Sequence, residues 1–86
     1  MNGVNFRGNP GKDRGMSPPL ISGAECIAAL ARIGYAKVGQ KGSHVRLSCT
    51  GRAPVTVPLH SELDRGTLRS ILRTVELSEE EFRALL

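Results

Sequence analysis

Several things this chain has little of narrow the possibilities before any motif is read. No run of 18 apolar residues occurs anywhere in the 86, so no segment is expected to span a membrane. Tryptophan is absent, and Phe6, Tyr35 and Phe82 are the only aromatics. That leaves no row of rings on which successive bases could stack, as single-strand nucleic-acid readers require. The two cysteines, Cys26 and Cys49, lack paired CxxC spacing. A secreted mini-protein of this length would need more bridges, so reduced thiols and a cytoplasmic location are expected. A zinc site built from Cys26, Cys49, His44 and His60 has no supporting spacing, and no metal is assigned. Carboxylates are also sparse in the body of the chain: Glu25, Glu62 and Asp64 are scattered, which argues against a two-metal site.

What is present is positive charge with a defined distribution. The formal net charge is +4. Residues 22–75 hold eight Lys and Arg against three acids, whereas residues 76–86 hold four glutamates against Arg83. A basic body suits a polyanionic partner such as nucleic acid. The length allows one small domain. Residues 1–19 are glycine-rich and carry no apolar periodicity, so they are expected to form a disordered tail, non-native in part if Met16 is the start. The tail has no apolar stretch of the kind a signal peptide needs. Residues 20–86 are expected to form the single folded domain.

The element pattern in that domain is legible. Ser22-Gly23-Ala24-Glu25 is a capping box opening a helix over about 23–33, with Ile27, Leu30 and Ala31 as its inner stripe and Gly34 at its end. Three strands follow, over 35–40, 44–49 and 54–58. They are separated by the turns at Lys41-Gly42-Ser43 and Thr50-Gly51-Arg52-Ala53. In the middle strand Val45, Leu47 and Cys49 alternate with His44, Arg46 and Ser48, so the histidine and arginine share the face turned away from the core. Asp64 caps a second helix over 65–75. Its inner stripe is Leu68, Ile71, Leu72 and Val75, and Arg65, Arg69 and Arg73 are expected on the opposite side. Ser78-Glu79-Glu80-Glu81 opens a last short helix, where the glutamates suit the helix dipole without any further role. The expectation is an α+β, double-stranded-RNA-binding-domain-like fold, α-β-β-β-α plus a short C-terminal helix. Its helices lie on one face of a three-stranded antiparallel sheet.

Five short strings in this order resemble the HicA-type toxin family. They are Lys41-Gly42-Ser43-His44, Val55-Thr56-Val57-Pro58-Leu59-His60, Gly66-Thr67-Leu68-Arg69-Ser70-Ile71-Leu72-Arg73, and the two capped helix starts at Ser22 and Ser78. The resemblance covers roughly 19–86. It implies the toxin of a type II toxin–antitoxin pair, a messenger-RNA endoribonuclease (mRNA interferase), and a HicB-type antitoxin as partner. It maps the family's catalytic histidine onto His44. The middle strand departs from the pattern: Val45-Arg46-Leu47 stands where relatives often carry another histidine or an aromatic.

RNA supplies its own nucleophile in the 2′-hydroxyl, so cleavage needs a base and positive charge rather than a metal or cofactor. An imidazole, with an ordinary pKa of about 6.5, suits the base role. His44 is the expected general base, with Lys41 and Arg46 on the phosphate. Lys37, Arg65, Gly66 and Arg69 are further expected RNA contacts, the last three from the start of the second helix. His60 is a possible second acid–base group, or a loop residue without chemistry. The alternatives are a non-catalytic RNA-binding module and a protein-interaction domain whose arginine face meets an acidic partner.

Overall fold

The computed structural model describes residues 20–86; the expected tail over 1–19 lies outside the described residues. The elements are α1 (Gly23–Ala31), β1 (Ala36–Lys41), β2 (His44–Cys49), β3 (Arg52–Pro58), α2 (Arg65–Val75) and α3 (Glu79–Arg83). The strands form one antiparallel sheet in the order β1-β2-β3. Helices cover one side of the sheet and leave the other open. This is the α+β, double-stranded-RNA-binding-like arrangement expected from the sequence.

Each helix begins where its cap dictates. Ser22 Oγ accepts from Glu25 N at 3.0 Å, and Ser22 N donates to Glu25 Oε1 at 2.8 Å. The same reciprocal pair forms between Ser78 and Glu81. Both satisfy amides that the first helical turn leaves without partners. Asp64 caps α2.

The helix α1 is rotated from the expected setting. Cys26, Ala29 and Leu30 are buried, Ile27 is half-buried and Ala31 is exposed. The cause lies at its first residue. Gly23 N donates to His60 O at 2.9 Å, and its Cα packs directly on the Pro58 carbonyl. This anchor turns the Gly23, Cys26, Leu30 face inward, and small residues at two of those positions let the helix approach closely. Helix α1 also stops at Ala31 rather than Ile33, with a turn over the next three residues. Strand β3 starts at Arg52 rather than Pro54. Its early start follows from cross-strand pairing of Arg52 with Cys49 around a two-residue turn.

The core lies between the sheet and the helices, built on Leu30, Val45, Leu47, Val57, Leu68 and Phe82. Fully burying each such side chain stabilises by about 1.5–3 kcal/mol. Cys26 belongs to this core, and burial pushes its thiol up to about 12, so it behaves as a small apolar group. Tyr35 is buried too, its hydroxyl donating to Ala53 O at 2.7 Å, and burial raises its pKa. It is therefore unavailable for base stacking. Leu63, in the loop before α2, is 1 % exposed and donates its amide to Ile21 O at 2.7 Å.

At the far end, Arg52 Nη1 donates to Val75 O at 2.8 Å. A cation from the first residue of β3 thus serves a carbonyl at the end of α2, where the helix dipole favours it. The same bond shows that α2 runs back along β3. Phe82, fully buried, makes α3 part of the core rather than an appendage.

Candidate active site

The geometry of the open face follows from two turns. Gly42 and Ser43 connect β1 to β2, and Gly42 sits at φ 59°. Positive φ at the first central position of a two-residue hairpin loop is where glycine is preferred, because the turn then matches the strand twist. This fixes the register: Lys41 pairs with His44, Gln40 with Val45 and Gly39 with Arg46. On the other side His44 pairs with Pro58 and Arg46 with Thr56.

Directly paired residues share a face of the sheet. Val45 and Leu47 are buried, so His44, Arg46, Lys41, Gly39 and Thr56 lie on the open face. Lys41 and His44 stand about 5 Å apart at Cβ as cross-strand neighbours. Arg46 is two residues along, about 7 Å away by strand rise. All three are exposed, and none makes a side-chain hydrogen bond or ion pair with another described residue. Between them is a shallow depression of about 260 Å³, lined by Gly39, Gln40, Lys41, His44, Arg46 and Thr56. Gly39 contributes no side chain, and no atom stands within 4 Å of where one would begin. Gly39 and Thr56 were not singled out from sequence. Gly39 opposite Arg46 follows from the two-residue turn, whereas Thr56 reaches Arg46 only through the register shift between Leu47 and Cys49.

The turn is braced from the other face. Lys37 Nζ donates to Gln40 Oε1 at 2.6 Å, and Gln40 Nε2 donates to Gly42 O at 3.0 Å. A bulge at Val38 lies between Lys37 and Gly39. Lys37 pairs with the buried Leu47, so it leaves the sheet on the helix side and does not stand beside His44.

The remaining candidates lie at the same end of the molecule but on other surfaces. His60 is exposed, two residues past Pro58, and its backbone oxygen holds Gly23. Arg65 and Gly66 open α2 after the 59–64 loop, and both are exposed. The amides there already have an anion. Asp64 Oδ1 accepts from Thr67 N at 2.8 Å and Oδ2 accepts from Thr67 Oγ1 at 3.1 Å. These bonds, with a lesser one from Gly66 N–H, hold the Asp64 carboxyl below its ordinary range. Arg69 is exposed on α2, across the sheet from His44. Arg65, Arg69 and Arg73 occupy a flank of the helix. At 100° per residue they centre about 110° around its axis from the buried stripe, rather than opposite it. Among the described residues, no three of His, Cys, Asp and Glu come together as a metal-binding group.

Residues 23–77 match the HicA toxin family, described as the HicA toxin of bacterial toxin–antitoxin systems. The chain belongs to the HicA toxin family. The match takes in both long helices and the whole sheet, and ends before α3. A solved toxin–antitoxin complex from Streptococcus pneumoniae contains a chain similar to this one at 34% identity. The similarity covers 66% of this chain and 98% of that one, with a TM-score of 0.59. No curated protein matches the chain. Among the described residues, no helix is long and apolar enough to cross a membrane.

Proposed function

We propose that this HicA family member is a metal-independent endoribonuclease that cleaves messenger RNA with His44 as general base, and that a HicB-type antitoxin restrains it in the cytoplasm. The observation that carries the reading is the exposed His44 imidazole on the open sheet face, with Lys41 directly across and Arg46 along the same strand.

In this reading His44 takes the proton of a ribose 2′-hydroxyl. The oxygen attacks the adjacent phosphorus, the P–O5′ bond breaks, and a 2′,3′-cyclic phosphate forms. The departing O5′ takes a proton from water. Lys41 and Arg46 meet the charge that accumulates on the phosphate oxygens, as fixed donors that need no rearrangement. Membership of a toxin family, and the likeness to a chain from a solved toxin–antitoxin complex, support an antitoxin as partner. An antitoxin that covered the open face would block the base and both cations together.

The test is His44→Ala. Cleavage of a defined RNA is expected to fall by about 10²–10⁴-fold, the usual contribution of a positioned general base. RNA affinity and melting temperature should hold, since the His44 side chain is exposed and bonds to no described residue. Cleavage at the wild-type rate would refute the assignment. Excess EDTA should leave cleavage intact.

A further inference from the structure

A second basic surface lies apart from the His44 face. Arg65, Arg69 and Arg73 stand at i, i+4 and i+8 along α2, all exposed. Like charges four apart on a helix repel by a few tenths of a kcal/mol per pair. The helix dipole favours Arg73 in the last turn, but Arg65 and Arg69 have no such compensation among the described residues. Among the described residues none of the three guanidinium groups makes a hydrogen bond or ion pair, and the first turn of α2 holds no acid. The nearest carboxylate in sequence, Asp64, is turned onto Thr67 instead.

The row cannot meet the same phosphate as His44. Leu68, Ile71, Leu72 and Val75 seat α2 on the covered side of the sheet, whereas His44 and Arg46 project from the open side. A packed helix stands its axis about 8–10 Å from what it contacts, and its own radius adds about 5 Å. The two surfaces are nevertheless joined at one end. Strand β3 ends at Pro58, the neighbour of His44, and α2 begins at Arg65 after the 59–64 loop. From there α2 runs back along β3, so the row begins beside the His44 end and leads away from it.

We propose that Arg65, Arg69 and Arg73 form an extended binding track for the RNA backbone beyond the cleavage point, so that a substrate leaving the His44 face rounds the 59–64 loop and lies along α2. This rests on the nuclease reading above and adds to it a reason for the enzyme to prefer long RNA. Three charges spread over about 12 Å of helix match the three or four phosphates that one strand presents over that length. Single-stranded RNA is favoured over a protein partner by the character of the surface. The row is narrow, and Ser70 and Thr74 beside it are polar. An interface core would need buried apolar anchors, which this flank lacks.

The experiment compares the full chain carrying His44→Ala with the same chain carrying R65Q, R69Q and R73Q in addition, so that binding is read without cleavage. Affinity for a single-stranded RNA of about 25 nucleotides should fall by about 10–100-fold at low salt, and the slope of log K against log salt should lessen by about 2, or roughly 0.7 for each lost phosphate contact. Affinity for an RNA of about 5 nucleotides should stay within about twofold, because it reaches only the open face. The melting temperature should hold or rise, since three repelling charges are gone.

An unchanged affinity and salt slope on the long RNA would overturn the track. So would an equal loss on both lengths, which would place the arginines in the His44 site. Loss of antitoxin binding with long-RNA affinity intact would also overturn it and assign the row to an acidic protein. Failure of the nuclease reading would look different: the unmutated chain would bind long RNA through the row yet cleave neither length.

Discussion

The junction between α1 and β3 offers a stability experiment whose sign the structure fixes. Two glycines sit in the first turns of helices, Gly23 in α1 and Gly66 in α2. By helix propensity alone, alanine at either should stabilise, by up to about 1 kcal/mol. Their surroundings differ. A Cβ on Gly23 would collide with the Pro58 carbonyl oxygen and lie 3.0 Å from Leu59 Cα. Both obstacles are backbone, held by the Gly23 N to His60 O bond and by Leu59 N donating to Ser43 O at 2.7 Å. A Cβ on Gly66 meets only Asp64 Oδ1 at 3.4 Å, an ordinary contact. Overpacking of a rigid site costs about 1–3 kcal/mol, which outweighs the propensity gain at Gly23 and is absent at Gly66. For a domain of this size 1 kcal/mol moves the melting temperature by about 4–8 °C. Gly23→Ala should therefore melt about 4–15 °C below the wild type, and Gly66→Ala at or above it, by calorimetry or circular dichroism. Displacement of Pro58 and Leu59 also moves the strand that flanks His44, so Gly23→Ala should lose cleavage activity beyond its loss of folded protein. A Gly23→Ala chain that melts at or above the wild-type temperature would refute the close-approach argument.

Other outcomes follow from particular contacts. Phe82→Ala empties a fully buried site in α3 and should cost about 3–5 kcal/mol, read as a lower urea midpoint with the slope unchanged. A neutral result would mean that α3 lies outside the core. Glu76 caps α2 in the left-handed region at φ 60°, where a side chain costs about 1–2 kcal/mol. Glu76→Gly should accordingly raise the melting temperature by a few degrees, the gain being reduced by the extra chain entropy of glycine. Asp64 has a folded pKa below its ordinary value of about 3.9, so its capping contribution is complete above that pH and lost as pH falls through the depressed value. The gap in melting temperature between wild type and Asp64→Ala should be widest near neutrality and close below about pH 4; a gap independent of pH would contradict the carboxylate cap.

Much of the architecture was legible because its causes are local. Two capping boxes, an aspartate cap and the glycine turns mark where the elements start and reverse. Strict alternation in 44–49 puts His44 and Arg46 on one face; the turn expected over 41–43 is the two residues 42–43, and that sets Lys41 in β1 opposite His44. The resemblance to HicA toxins came from the same local strings. Misjudged features were those that depend on neighbours distant in sequence. The rotation of α1 was set one residue off because Ile27 and Ala31 suit an inner stripe as well as Cys26 and Ala29 do. Only the anchor of Gly23 on Pro58 and His60 distinguishes the two settings. Lys37 was expected only as an RNA contact; the Val38 bulge and its pairing with Leu47 place it on the side of the sheet away from His44.

The order of elements, the caps, the two faces of β2 and the family are each written in residues a few positions apart. Which surfaces the cations share was left to the tertiary fold. It placed Lys41 and Arg46 around His44, turned Lys37 away, occupied the start of α2 with Asp64, and set the arginine row on the far side of the sheet. The physical reason is that a side chain's face is fixed by local periodicity, whereas its neighbours on that face are fixed by strand register and by how closely a helix can approach a sheet.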